Sequence, residues 1–214
     1  MKIALLGSPR SGTTSLSNLI KLHLNKIEYK SFLEPFNPVL YNCLSTTDDL
    51  LPFSNLFIKT IYLSETKNYL TKAFTDNEDY LRWIVSFFDK VILLNRKDKI
   101  AQAESLIINE EYNRLYGFSW HQQKIYKTNY INEKLKSDIV DILNNSEVEL
   151  KILSEKNGYP MFFYEDIYQS NNMNSLNEIS KYIGLKFEDD LIMEWILNKN
   201  RRVRIDYMGK QKLI

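Results

Sequence analysis

The sequence predicts an α/β fold in a single domain, with a central parallel sheet of about five strands flanked by helices. Three observations lead there. Five short apolar runs read as strands, at residues 2–6, 28–33, 56–62, 90–95 and 160–164. Several of them, such as "KIALL" and "KVILLN", are continuously apolar rather than alternating, as suits strands covered on both faces. Helical patterns fall between them, and an alternation of strand and helix specifies a parallel sheet. The chain has 214 residues, 44% hydrophobic and 26% charged, enough for one such core over 1–214.

The helices follow in order. After the first strand Leu16, Leu19, Ile20 and His23 recur at helical spacing, which places His23 on the packed face. After the fourth strand Ile100, Ala103, Ile107 and Ile108 do the same. Residues 131–146 and 175–185 are further amphipathic helices, the second closing at Gly184. In sheets of this kind ligands collect at the carboxyl ends of the strands, so the polar residues found there carry the functional information.

The first such place is "LLGSPRSGTTSLSNLI", a strand, a loop and a helix. Gly7 and Gly12 let the backbone turn tightly and approach an anion. The N–H groups around Ser11 to Thr14 can form an anion nest, and a helix beginning near Thr13 adds its positive end. The hydroxyls of Thr13 and Thr14 are further donors. The loop is therefore P-loop-like. Gly7, Gly12 and Thr14 fit the pattern G-x-x-x-x-G-K-[ST], but Thr13 stands where the lysine belongs. The cation has moved into the loop as Arg10, after Pro9, and its planar fork suits phosphate or sulfate oxygens.

Composition narrows the rest. With 28 Lys+Arg against 27 Asp+Glu the net charge is +1, which gives no argument for nucleic acid or a membrane surface. Cys43 is the single cysteine, so neither an internal disulfide nor a cysteine zinc site is expected, and it reads as a structural thiol. No apolar run approaches membrane-spanning length, and the first one stops at Gly7, too short for a signal-peptide core. A soluble, cytoplasmic protein is expected.

"GSPRSGTT" resembles the 5′-phosphosulfate loop of sulfotransferases that use 3′-phosphoadenosine 5′-phosphosulfate (PAPS), where Lys or Arg stands two residues before the second glycine, as Arg10 does. A second match is "VILLNRKDKIAQAESLI". Its Arg, Asp-Lys, Ala-Gln-Ala and Ser run is similar to that of bacterial trehalose-type carbohydrate sulfotransferases. The resemblance implies that Arg96, or its neighbour Lys97, and Ser105 hold the 3′-phosphate. With a helix start near Asp98, Asp98, Gln102 and Ser105 share one face, and Ser105 lies off the Ile100, Ala103 and Ile107 stripe. A third match, "FFYEDI", is similar to the family's Tyr-Glu-Asp after its last core strand and reads as architectural. As a strand-end acid it would instead hold magnesium for a triphosphate; sulfuryl transfer needs no metal, and no metal site is expected.

The resemblance implies a sulfuryl transfer from PAPS to a hydroxyl, a small-molecule or carbohydrate acceptor by analogy. The cofactor-binding set is then Pro9, Arg10, Ser11, Gly12, Thr13, Thr14, Arg96 and Ser105. The catalytic set is Glu34, Arg10 and Lys59. Glu34 ends the second strand before Pro35, which favours an extended exit, and it matches the family's proposed base. Lys59 interrupts the apolar strand "LFIKTIY", so it needs an anionic partner, either the donor's bridge or a structural acid. A helical acceptor-side region is expected at 64–88 and 109–150. Within it His121 and the rings of Tyr116, Phe118, Trp120 and Tyr126 are candidates for lining the acceptor pocket. Arg201, Arg202 and Arg204 are candidates for cofactor contact or a solvated charge run. The competing readings are a P-loop small-molecule kinase or NTPase, and a catalytically silent nucleotide-binding domain. The latter would require Glu34 and Lys59 to lie far from the loop.

Overall fold

The computed structural model describes residues 1–24, 27–37, 44, 46–64, 73–116, 131–169, 173–190, 192 and 195. The strands are β1 (Lys2–Gly7), β2 (Lys30–Leu33), β3 (Leu56–Ile61), β4 (Lys90–Asn95) and β5 (Met161–Phe163). The helices are α1 (Thr13–Leu24), α2 (Asn77–Phe87), α3 (Lys99–Tyr116), α4 (Glu133–Asn157), α5 (Tyr164–Tyr168) and α6 (Asn174–Ile183), with a 3-10 turn at Thr47–Leu50. The strands form one sheet in the order β2-β3-β1-β4-β5, and every neighbouring pair is parallel.

β1 is the centre of the sheet, and the order reverses there: β2 and β3 lie on one side, β4 and β5 on the other. The register brings Gly7 opposite both Ile61 and Leu94, so the loop after β1 opens between the ends of β3 and β4. That is the switch point at which open α/β sheets bind ligands.

The period-two alternation of β1 sends its side chains into two cores. Ile3 and Leu5 pack with Leu16, Leu19 and Ile20 of α1 and Leu176, Ile179 and Ile183 of α6. Ala4 and Leu6 pack with Tyr80 and Ile84 of α2 and Leu150 and Leu153 of α4. This is why the strands read as continuous apolar runs: both faces are covered. Each such Leu or Ile contributes about 1.5–3 kcal/mol of burial.

Local chemistry explains the helix ends. Asp76 caps α2 through Asp79 N (2.8 Å), and Asn132 caps α4 through Leu135 N (3.0 Å). α4 continues well past 146 because Leu143, Ser146, Leu150 and Leu153 extend its buried face, and it stops at Gly158, with φ 68. α6 closes at Gly184 (φ 70), as its glycine predicts. One expectation fails on α3: Ile100 is 58% exposed. The inward face of this helix is instead built from Lys99, Gln102, Ala103 and Ile107, because its first turn packs on polar groups at the end of β4 rather than on the apolar sheet.

Among the described residues no helix is long and apolar enough to cross a membrane.

Candidate active site

The loop from Ser8 to Gly12 is closed internally before it meets any ligand. Ser8 N donates to Leu94 O (3.2 Å) and so ties the loop to the end of β4. Ser11 donates twice to Ser8 O, from N (3.3 Å) and from Oγ (2.6 Å). The Ser11 N–H, expected in the anion nest, thus gives its hydrogen to the loop itself, as the Ser11 hydroxyl does. α1 starts at Thr13, with Leu16 N on Gly12 O (3.1 Å), and its first turn has N–H groups without intrahelical acceptors. Thr13 is buried and Thr14 exposed.

Both glycines are required by their neighbours. A Cβ on Gly7 would lie 2.5 Å from Leu94 O and from Thr13 Cγ2. Gly12 has φ 86, and a Cβ there would lie 2.6 Å from Tyr168 Cε2. Tyr168 stacks on Tyr164 (centroids 4.6 Å apart) and donates its hydroxyl to Gly12 O (2.8 Å). Burial raises the Tyr168 pKa, so it stays a neutral donor. α5, which carries the Tyr-Glu-Asp run, therefore buttresses the loop from behind.

Three described residues other than glycine have positive φ: Arg10 (59°), Glu28 (54°) and Glu34 (51°). Two of the three are candidate catalytic residues. The left-handed conformation costs about 1–2 kcal/mol in a residue with a Cβ, so something must hold each in place. Arg10 Nε donates to Ser105 Oγ (2.8 Å), joining the loop to α3 across 95 positions of sequence.

Glu34 departs from expectation. The extended exit that Pro35 favours is replaced by a tight turn, with Asn37 N on Glu34 O (3.0 Å). The turn persists because both carboxylate oxygens are engaged. Asn37 Nδ2 donates to Oε2 (2.7 Å), and Lys59 Nζ donates to Oε1. Lys59 and Glu34 are buried, at 2% and 7% exposure. The register pairs Leu33 with Lys59, which sets Glu34, just past the end of β2, beside Lys59 within β3. The sequence left Lys59 two possible partners; its acid is the candidate base. Burial lowers the Lys59 pKa, the Glu34 carboxylate opposes that, and the positive charge of Arg10 adds to the lowering.

At the end of β4 the turn Arg96–Asp98 is held by Glu165 of α5, whose carboxylate accepts from Lys97 N (2.9 Å) and Asp98 N (3.1 Å). Lys97 Nζ donates to Asp166 Oδ1 (2.6 Å). The Arg96 guanidinium lies over the Tyr164 ring (4.9 Å) with Glu165 Oε1 at 3.8 Å, and its buried Nε has no hydrogen-bond acceptor among the described residues.

The geometry therefore gathers Pro9, Arg10, Ser11, Gly12, Thr13, Thr14 and Ser105 around one loop, pairs Glu34 with Lys59 on β3, the strand next to β1, and sets Arg96 on the turn after β4. Sequence reasoning assigned no role to Ser8, Asn95 and Asn37, and it took Glu165 only as part of an architectural run. Ser8 and Asn95 directly follow or end a strand, a position that could have flagged them. Cys43, His121, Phe118, Trp120, Tyr126, Arg201, Arg202, Arg204 and the side chain of Tyr116 lie outside the described residues. Among the described residues no group of three or more His, Cys, Asp or Glu could hold a metal ion.

Compared with known proteins, the architecture defines a class: the chain has the α/β fold of a sulfotransferase. The crystal structure of mouse sulfotransferase SULT7A1 complexed with PAP superposes with a TM-score of 0.55 at 16% sequence identity, over 99% of this chain and 66% of that one. The chain thus spans just under two thirds of the length of that structure. No protein-family model and no curated protein matches the sequence.

Proposed function

We propose that the protein is a PAPS-dependent sulfotransferase that moves a sulfuryl group to a hydroxyl acceptor, with Glu34 as general base and a carbohydrate as the acceptor class. The observation that carries this reading is the bond from Arg10 to Ser105. The sequence assigned these residues to opposite ends of the same donor, the 5′-phosphosulfate and the 3′-phosphate, and they are adjacent in space.

The donor set suits such a molecule. Arg10 offers a planar guanidinium, Thr13 and Thr14 offer hydroxyls, and the first turn of α1 offers N–H groups and the positive end of its dipole. Arg96 presents a buried Nε–H with no hydrogen-bond acceptor among the described residues, whereas Lys97 is bonded to Asp166; this favours Arg96 as the cation for the 3′-phosphate. When bound, PAPS would supply an activated sulfuryl group and a bisphosphate leaving group.

The residues then divide the work. Asn37 and Lys59 fix the orientation of Glu34, which takes the acceptor's proton. Taking that proton removes the charge with which Lys59 is paired, leaving the ammonium for negative charge growing nearby. Arg10 neutralises charge on the bridging and leaving oxygens. The acceptor would enter from the region 64–88 and 109–150, of which α2, the end of α3 and most of α4 are described. No metal is assigned a part.

Titration calorimetry with adenosine 3′,5′-bisphosphate, ADP and ATP-magnesium tests the reading. The bisphosphate binds tightest, without metal. A preference for ATP-magnesium would replace the reading with that of a P-loop kinase. A screen of hydroxyl acceptors with labelled donor then identifies the second substrate.

A further inference from the structure

α3 reaches the loop at two points one turn apart. Ser105 receives the Arg10 side chain. Gln102, fully buried at 0% exposure, instead takes hold of the backbone before it. Its Nε2 donates to Ser8 Oγ (2.8 Å) and to Pro9 O (2.5 Å). Ser8 Oγ passes its own hydrogen to Asn95 Oδ1 (2.7 Å). Asn95 is anchored in turn: Lys99 Nζ donates to its Oδ1 (2.9 Å), and its Nδ2 donates to Glu147 Oε2 (3.1 Å). Lys99 pairs with the same Glu147 (2.6 Å). A chain of oriented bonds runs from Gln102 through Ser8 to the Lys99–Glu147 ion pair that joins α3 to α4.

This arrangement is expensive for a purely structural purpose. A buried amide is favourable only when its polar atoms are matched, and Gln102 Oε1 has no partner among the described residues. An apolar side chain of similar size would fill the space without that cost. The two bonds of Nε2 fall on the two residues immediately before Arg10, whose φ of 59° is one that an arginine does not adopt unaided. Fixing the carbonyl of Pro9 fixes the peptide plane that leads into Arg10.

We propose that Gln102 is a positioning residue for Arg10: through Ser8 and Pro9 it holds the loop in the strained conformation that aims the guanidinium at the donor's 5′ end. The proposal rests on the PAPS reading above. It differs from a packing role in one respect, namely that its effect must pass through Arg10.

The test is a double-mutant cycle. Wild type, Gln102→Leu, Arg10→Ala and the double variant are titrated with adenosine 3′,5′-bisphosphate and with adenosine 3′-monophosphate, and their urea midpoints are recorded. Gln102→Leu weakens the bisphosphate about tenfold and leaves the 3′-monophosphate within about twofold, since that ligand has nothing for the loop to grip. In the Arg10→Ala background Gln102→Leu has no further effect on the bisphosphate. Equal losses for both nucleotides, or losses that add across the cycle, mean that Gln102 only packs, and overturn the proposal while the PAPS reading stands. A wild type that ignores the bisphosphate overturns both. Should Gln102→Leu fail to fold, Ser8→Ala breaks the same relay one bond further on, and the same cycle is read with it.

Discussion

Lys59 of β3 and Glu34, just past the end of the neighbouring parallel strand β2, form a buried ion pair, and the charge of Arg10 helps to lower the Lys59 pKa. The pair is fixed on both sides, by the β2–β3 register and by Asn37. A buried pair is weak evidence for stability, because desolvation offsets attraction, but removing one partner is costly.

Glu34→Gln keeps the shape and removes the proposed base; its single carbonyl oxygen accepts from Asn37 or from Lys59 but not from both. It binds adenosine 3′,5′-bisphosphate as wild type does and turns over about 10²–10⁴-fold more slowly. Lys59→Met leaves a buried carboxylate unpaired and costs about 3–5 kcal/mol. Combining the two recovers most of that stability but no activity. Unchanged turnover in Glu34→Gln would remove Glu34 from the mechanism.

Arg10 separates strain from function. Arg10→Ala and Arg10→Gly both lose transfer by about 10²–10³-fold, since the guanidinium is gone in each. They differ in stability. At φ 59 glycine is unstrained and alanine is not, so Arg10→Gly resists urea better, by about 0.5–1 kcal/mol. Equal unfolding midpoints would show that the left-handed conformation is not kept in solution.

Arg96→Ala separates the two ends of the donor. Loss of one charge-assisted contact is worth about 1.5–3 kcal/mol, so bisphosphate affinity falls about 10–100-fold. ADP, which lacks the 3′-phosphate, is weakened less than about twofold. Calorimetry that finds equal losses refutes the assignment.

Alkaline pH acts through buried tyrosines. Tyr62, Tyr80 and Tyr168 all have pKa values raised above 10.0, chiefly by burial and, for Tyr62, also by its bond to Glu149. The folded state holds these protons more tightly than the unfolded state. Their contribution is therefore complete below pH 10.0 and is lost as pH rises beyond it. Lys59 and Lys99, lowered by burial, act with the opposite sign, and their window closes at 10.5. Above pH 10.5 the tyrosines prevail, and the urea midpoint falls steadily. Tyr80→Phe flattens that fall, at a cost of about 1 kcal/mol at neutral pH for the bond to Thr60. A midpoint indifferent to pH in this range contradicts the burial of all three rings.

The amino-acid sequence alone determined the class of fold and the place of the glycine-rich loop between β1 and α1. Runs such as "KVILLN" need only nearest neighbours in the chain to declare a covered strand, and β4 falls at Lys90–Asn95, where that run lies. Gly7, Arg10, Gly12 and Thr13 are likewise a local pattern, and Lys59 announced by its apolar surroundings that it needed an acid. Tertiary structure alone decided which acid that was. It also turned Glu34 into a tight turn, set Gln102 and Asn95 beneath the loop, exposed Ile100, and laid Tyr168 against Gly12. Those contacts join positions as much as 156 apart. They depend on the strand order β2-β3-β1-β4-β5, and hydrophobic periodicity sets which face of a strand is buried but carries no record of which strand lies beside it.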